Sequence, residues 1–174
     1  MNHYRFLCLL AALVVGMVAC SKDSDGNDNP TTTTLNIRMT DGPGDYQQVN
    51  IDLREIRIKT SEDTSQWVSL PTKSGIYNLL KFQNGLDTLI ASGPVPTVTL
   101  KELRFVLGSN NSVMQDSVVY PLQAPSAESS GLKVKIDKAL AVTANTFLLD
   151  FDAKASIQEA GNGKFLLKPV IKLK

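Results

Sequence analysis

The sequence predicts an all-β fold: an antiparallel β-sandwich of about eight to ten short strands, immunoglobulin-like or transthyretin-like, with at most one or two short helical turns. Three observations lead there. Apolar and polar residues alternate with a period of two through most of the chain beyond residue 35, the pattern of half-buried strands. Clusters of Gly, Pro, Asn, Asp and Ser separate these runs at short intervals, as turns between strands require. Two long runs slip phase by one residue near their middles, as a strand does at a β-bulge.

The elements follow in order. Leu35-Asn36-Ile37-Arg38-Met39 alternates and ends at the turn signal Asp41-Gly42-Pro43-Gly44-Asp45. Val49, Ile51 and Leu53 alternate, and the apolar phase then moves to Ile56 and Ile58, which places a bulge at Arg54-Glu55. A short strand is expected around residues 67–70, an apolar patch at 77–82 and a Gly/Pro-rich bend at 92–96. Val98 and Leu100 alternate, Lys101-Glu102 interrupts, and Leu103, Phe105 and Leu107 resume. The matching phase breaks suggest that the two long strands hold paired or equivalent positions in a curved sheet.

Residues 112–115 and 117–122 form a hairpin over Asp116, and residues 125–131 a loop. Leu132-Lys133-Val134-Lys135-Ile136 alternates like a strand with one wet face. A further strand covers residues 146–152. One or two helical turns follow, with Asp152 as N-cap. Gly161-Asn162-Gly163 suits a hairpin turn. A last strand, 165–173, admits Pro169 only at an edge or bulge.

The first 34 residues read differently. His3 and Arg5 precede an apolar run at 6–19, and Ala19 stands directly before Cys20. This is the three-part layout of a secretory signal, and the run of about 14 residues is short of the roughly 20 a spanning helix needs. A cysteine at the cleavage point resembles a bacterial lipoprotein signal, in which Cys20 carries the acyl chains, palmitate among them. Residues 20–34, the cysteine followed by Ser-Lys-Asp-Ser-Asp-Gly-Asn-Asp-Asn-Pro and four threonines, lack the apolar content to fold and read as a tether. The division is then 1–19 signal peptide, 20–34 lipidated cysteine and tether, and 35–174 one sandwich domain. The membrane is the expected partner through Cys20, and the expected location is the cell envelope, at the outer membrane and open to surface exposure.

Cleavage before Cys20 removes His3, the single histidine, and Cys8, the second of two cysteines. It also removes Arg5, so the 18 basic residues fall to match the 17 acidic ones. Hydrolysis through an imidazole base is excluded, zinc loses its usual ligands, and no net charge steers the domain onto nucleic acid. Carboxylates, lysines, hydroxyls and amides remain. The sequence therefore predicts a non-catalytic binding or assembly module. The alternatives are a carboxylate-based glycan-active enzyme and a calcium-stabilised structural module.

Four motifs then become recognisable. They are Thr40-Asp41-Gly42-Pro43-Gly44-Asp45-Tyr46 with Val49-Asn50-Ile51, and Phe105-Val106-Leu107-Gly108-Ser109-Asn110-Asn111. The third runs from Pro125-Ser126-Ala127 to Ser130-Gly131-Leu132-Lys133. The fourth is Leu148-Leu149-Asp150-Phe151-Asp152-Ala153, leading to Gly161-Asn162-Gly163-Lys164 and Leu167-Lys168-Pro169-Val170-Ile171. Over residues 33–174 the chain resembles the domain-of-unknown-function 4382 family of bacterial, Bacteroidota-type envelope lipoproteins. The resemblance implies a β-rich envelope lipoprotein and no established activity.

Candidate sites come from residue chemistry. Asp41, Asp45, Asp150 and Asp152 are the first choices for calcium, since hard oxygen ligands spaced by glycines can wrap a cation. The same segment also suits an Asx-type turn in which the carboxylates accept from nearby amides. Asp150 and Asp152 share a strand face, with Asp45 or Glu55 as a possible catalytic partner, or else face solvent while Asp152 caps the next turn. Trp67 and Tyr46, with Tyr77 and Tyr120, are the candidate glycan platform. Lys133 and Lys135, near Lys138, either contact an acidic surface or guard a sheet edge. The possible partners are a glycan or another envelope protein.

Overall fold

The computed structural model describes residues 32–61 and 65–174. The expected signal peptide, Cys20 and residues 21–31 of the tether lie outside the described residues. Among those described, thirteen strands form two sheets, and the fold is the all-β sandwich that the alternation predicts. No helix among them is long and apolar enough to cross a membrane.

The smaller sheet contains β1 (Thr32–Thr40), β5 (Thr88–Pro96), β10 (Asn145–Phe151) and β13 (Ile171–Leu173), in the order β13-β10-β1-β5. The larger is built on β2 (Gln48–Thr60), flanked by β3 (Val68–Leu70) and β4 (Gly75–Asn78). It continues through β6 (Thr99–Leu107) to β9 (Leu132–Ala139). In the other direction it runs through β7 (Ser112–Gln115), β8 (Val118–Gln123) and β12 (Phe165–Leu167) to β11 (Ile157–Glu159).

The core lies between the sheets. Leu35, Ile37, Met39, Leu149 and Phe151 of the smaller sheet meet Ile51, Leu53, Ile56, Leu103 and Phe105 of the larger, all fully buried. Phe105 and Phe151 meet edge to face with centroids 6.4 Å apart, a favoured aromatic geometry.

Both bulges fall where the phase slips. Register between β2 and β6 shifts between Leu53 and Glu55, and between β6 and β9 it shifts between Leu100 and Glu102. Each extra residue turns the following side chains back inward, so Leu53 and Ile56 are both buried, as are Leu100 and Leu103. The two long strands pair with one another, as their shared pattern suggests. The hairpin over Asp116 forms with Asp116 and Ser117 both at positive φ, as a two-residue turn requires. Gly161, Asn162 and Gly163 turn β11 into β12 in the same left-handed region.

Five expectations are corrected. The sandwich is not purely antiparallel, because β1 pairs β10, and β12 pairs β8, in parallel. Thr32, Thr33 and Thr34, read from the sequence as the end of a tether, instead extend β1 against Pro96, Val95 and Pro94. The Gly/Pro-rich bend at 92–96 is instead strand β5, at the edge of the smaller sheet. Ser92 donates its N–H away from β1, to Pro71 O at 3.0 Å. Pro94 and Pro96 share that parity, so their missing N–H groups remove nothing from the ladder. The closing strand 165–173 is two strands in different sheets. Around Pro169 the chain crosses over, held by Lys168 N–H on Ser156 O and Val170 N–H on Ser156 Oγ, each 2.8 Å. The loop at 125–131 also carries a short helix, α1 (Pro125–Ser129), with proline in its first turn.

Candidate functional site

The Asp41 motif and the Asp150-Phe151-Asp152 motif meet at one end of the sandwich, because Thr40 and Asp150 are register partners on β1 and β10. Asp41 is 4% exposed. Its Oδ1 accepts from Ala153 N–H at 2.9 Å and its Oδ2 from the Gln83 amide at 3.1 Å. Gln83 also donates to Gly42 O at 2.9 Å, and Asp41 N–H donates to Phe82 O at 3.0 Å. Burial pushes the Asp41 carboxyl up from its ordinary value. The Ala153 and Gln83 hydrogen bonds oppose this, and the charges of Asp150 and Asp152 add to it.

The other aspartates have separate partners. Asp152 caps the short helix α2 (Ala153–Ser156) by accepting from Ala155 N–H at 2.9 Å. Asp150 pairs with Lys174 at 3.1 Å. Asp45 is exposed and pairs with Lys154 at 2.7 Å, which raises the Lys154 pKa. Three of the four candidates are thus near enough to repel, yet each is engaged in holding the chain. Among the described residues, no group of three or more His, Cys, Asp or Glu is placed to hold a metal ion. Millimolar calcium or a chelator is therefore expected to leave the melting temperature unchanged. A calcium-dependent rise would restore the metal-loop reading.

A second network joins two other motif segments. Asp52, on β2, is 2% exposed although its parity points it away from the core. The turn from β6 to β7 covers it. Gly108 N–H donates to Asp52 O at 2.7 Å, and Asn111 Oδ1 accepts from Asp52 N–H at 2.8 Å. The Asp52 carboxylate accepts from Arg54 at 2.7 Å and from Asn110 N–H at 3.3 Å. The Asn111 amide closes the turn on Gly108 O at 2.7 Å. Sequence reasoning marked Arg54 only as a bulge residue and passed over Asp52, and the signal was the tight Gly-Ser-Asn-Asn segment that had to pack on something.

Two of the four aromatic candidates come together, and Trp67 is not one of them. Tyr46 and Tyr120 flank Phe165 at 6.5 and 5.0 Å between centroids. Burial raises the Tyr46 pKa, with Glu159 and Asp45 adding to it. Tyr77 contacts Phe82 and donates to Lys73 O at 2.6 Å. Trp67 lies elsewhere, beside the larger sheet, with the Arg104 guanidinium 4.0 Å and Lys59 Nζ 5.4 Å from its ring centroid. Both are within cation–π reach.

The fold and its networks define an all-β sandwich domain whose sequence motifs are the places where separate strands are bonded together. A family model described as "Domain of unknown function (DUF4382)" matches residues 32–169, and the chain belongs to that family. No curated protein and no solved structure matched it.

Proposed function

We propose that this chain is a lipid-anchored lipoprotein of the bacterial envelope, of the Bacteroidota type, held at the outer membrane through Cys20. Its sandwich acts there as a non-catalytic binding or assembly module. The signal layout of residues 1–34 supports the anchor. The binding role is supported by one structural observation: the carboxylates that could serve catalysis, Asp150, Asp152, Asp45 and Glu55, are taken up by Lys174, Ala155 N–H, Lys154 and Arg57 in turn. A general acid must reach the proton it transfers, whereas a binding module needs only a stable frame that presents a surface.

Cells expressing the full chain should incorporate labelled palmitate and keep the protein in the membrane fraction. Cys20→Ala should abolish the label and release the protein, because anchoring needs acyl chains that together bury many methylenes. Unchanged labelling in that variant would sink the anchor. Depolymerisation of a glycan by the purified protein, lost in Asp150→Asn, would sink the non-catalytic role.

A further inference from the structure

The outer face of the larger sheet carries a row of cations in register across three strands. Arg57 on β2 is in register with Arg104 on β6, and Arg104 with Lys133 on β9. Adjacent strands are about 4.8 Å apart, so the row extends over about 10 Å. Lys135 lies on the same face two residues beyond Lys133, where its register partner on β6 is Glu102, so the uninterrupted row is Arg57, Arg104 and Lys133. Like charges placed directly opposite one another destabilise a sheet. Arg57 has a local counter-charge in Glu55 at 2.6 Å. Among the described residues, no carboxylate forms an ion pair with Arg104, Lys133 or Lys135. Lysines can guard an edge strand such as β9, but β2 and β6 are interior strands, so edge protection does not account for Arg57 or Arg104.

The row continues past the edge. Lys133 also lines a cleft of about 340 Å³ between β9 and β13, and Lys172 lines its opposite side. At the other end Trp67 stacks on Arg104, holding the guanidinium in place, and no carboxylate among the described residues forms an ion pair with it. With Arg104 on one of its faces, the indole is not an open platform for bases, unlike the aromatic groups that bind single strands. Val68, 58% exposed, pairs opposite Ile58 and so faces the other side of the sheet. Ile76, opposite Asp52 on the outer face and 61% exposed, lies five residues along β2 from Arg57, outside the row.

We propose that this face binds an acidic polysaccharide, its repeating carboxylates running along Arg57, Arg104 and Lys133 and over the β9 edge toward Lys172. Guanidinium groups favour carboxylates through paired N–H···O bonds, and evenly spaced cations match the regular charge of a uronate chain better than a folded acidic protein. The proposal rests on the binding-module reading and names its partner class.

The test is calorimetric titration of the full chain, purified in detergent micelles, with polygalacturonate. Binding is expected at low salt and should weaken as salt rises. Arg57→Gln, Arg104→Gln and Lys133→Gln should each weaken it about tenfold, since each removes a charged hydrogen-bond donor. Lys164→Gln, on the β11–β12 turn, should leave it unchanged. Arg104→Lys keeps the charge and separates loss of affinity from loss of folding, with melting curves as a check. No binding, equal affinity in all variants, or stronger binding to phosphatidylglycerol vesicles or a single-stranded oligonucleotide would each overturn the proposal. Those results leave anchoring through Cys20 to its own assay. Shortening of the polygalacturonate would instead refute the non-catalytic role and leave the surface standing.

Discussion

Gly108→Ala is expected to lower the melting temperature by about 10 °C, from a loss of about 3 kcal/mol in a domain of this size. A methyl group at residue 108 would lie 2.3 Å from Asp52 Oδ2, 2.4 Å from Arg54 Nε and 2.8 Å from Asp52 Cγ. The two neighbours respond differently. The Arg54 side chain is 54% exposed and can swing into solvent, whereas that of Asp52 is 3% exposed and enclosed by the turn. Moving Arg54 away removes the counter-charge of a buried carboxylate, and breaking such a pair costs about 3–5 kcal/mol. Keeping the pair forces the turn outward and breaks the Gly108–Asp52 backbone bond.

The strain can be located by combination with Arg54→Ala. If Arg54 is the obstacle, the glycine substitution costs little in that background. If Asp52 is the wall, most of the loss persists, and the geometry favours Asp52. Thermal unfolding followed by circular dichroism decides it. A Gly108→Ala protein melting within about 2 °C of the parent would show that the turn accommodates a methyl group, against the usual cost of overpacking.

Asp52 also shows how far the pattern of residues could be read. Parity puts it on the outer face with Asn50, and that is where it lies; only the chain folded over it makes it buried. Arg54 and Lys101 were legible because a bulge is the sole way for Leu53 and Ile56, or Leu100 and Leu103, to share one face. β5 was not legible, since its Gly and Pro residues carry a turn signature. The parity that makes Pro94 and Pro96 harmless depends on which neighbour the strand has. The break at Pro169 was hidden for a related reason. Apolar residues continue on both sides of it, and nothing local says that Leu167 and Ile171 belong to different sheets. The parallel pairing of β1 with β10 joins strands more than a hundred residues apart, beyond any short-range signal. The basic row was half visible: Lys133 and Lys135 stand out within one strand, while Arg57 and Arg104 join them only through the register of β2, β6 and β9.

Asp41 gives the other large effect, with a distinctive dependence on pH. Asp41→Ala leaves the Ala153 N–H without its acceptor in a fully buried position, which costs about 1–3 kcal/mol. It also frees Gln83 from one of its two acceptors. Because the motifs around Asp41 and Asp150 meet through this carboxylate, the loss should include fraying of α2 and the β10 end. Faster amide hydrogen exchange at residues 153–156 would report it.

Asp41→Asn behaves differently, since an amide oxygen still accepts from Ala153 and the repulsion from Asp150 and Asp152 is gone. The folded pKa of Asp41 is raised above its ordinary 3.8, so the native state binds more protons than the unfolded state between 3.8 and the raised value. Stability from this group is therefore fully present below 3.8 and is lost as pH rises through the folded pKa. Glu55 acts oppositely: Arg57 and then Ser69 hold its pKa below 4.5, so its contribution is lost as pH falls through the folded value. Both proteins share the Glu55 term, and the difference between them isolates Asp41. The parent should gain on Asp41→Asn as pH is lowered from 7 toward 4, measured as the gap between their urea midpoints. A gap that stays constant or moves the other way would mean that the Asp41 carboxyl is ionised in the fold without penalty, its hydrogen bonds outweighing its burial.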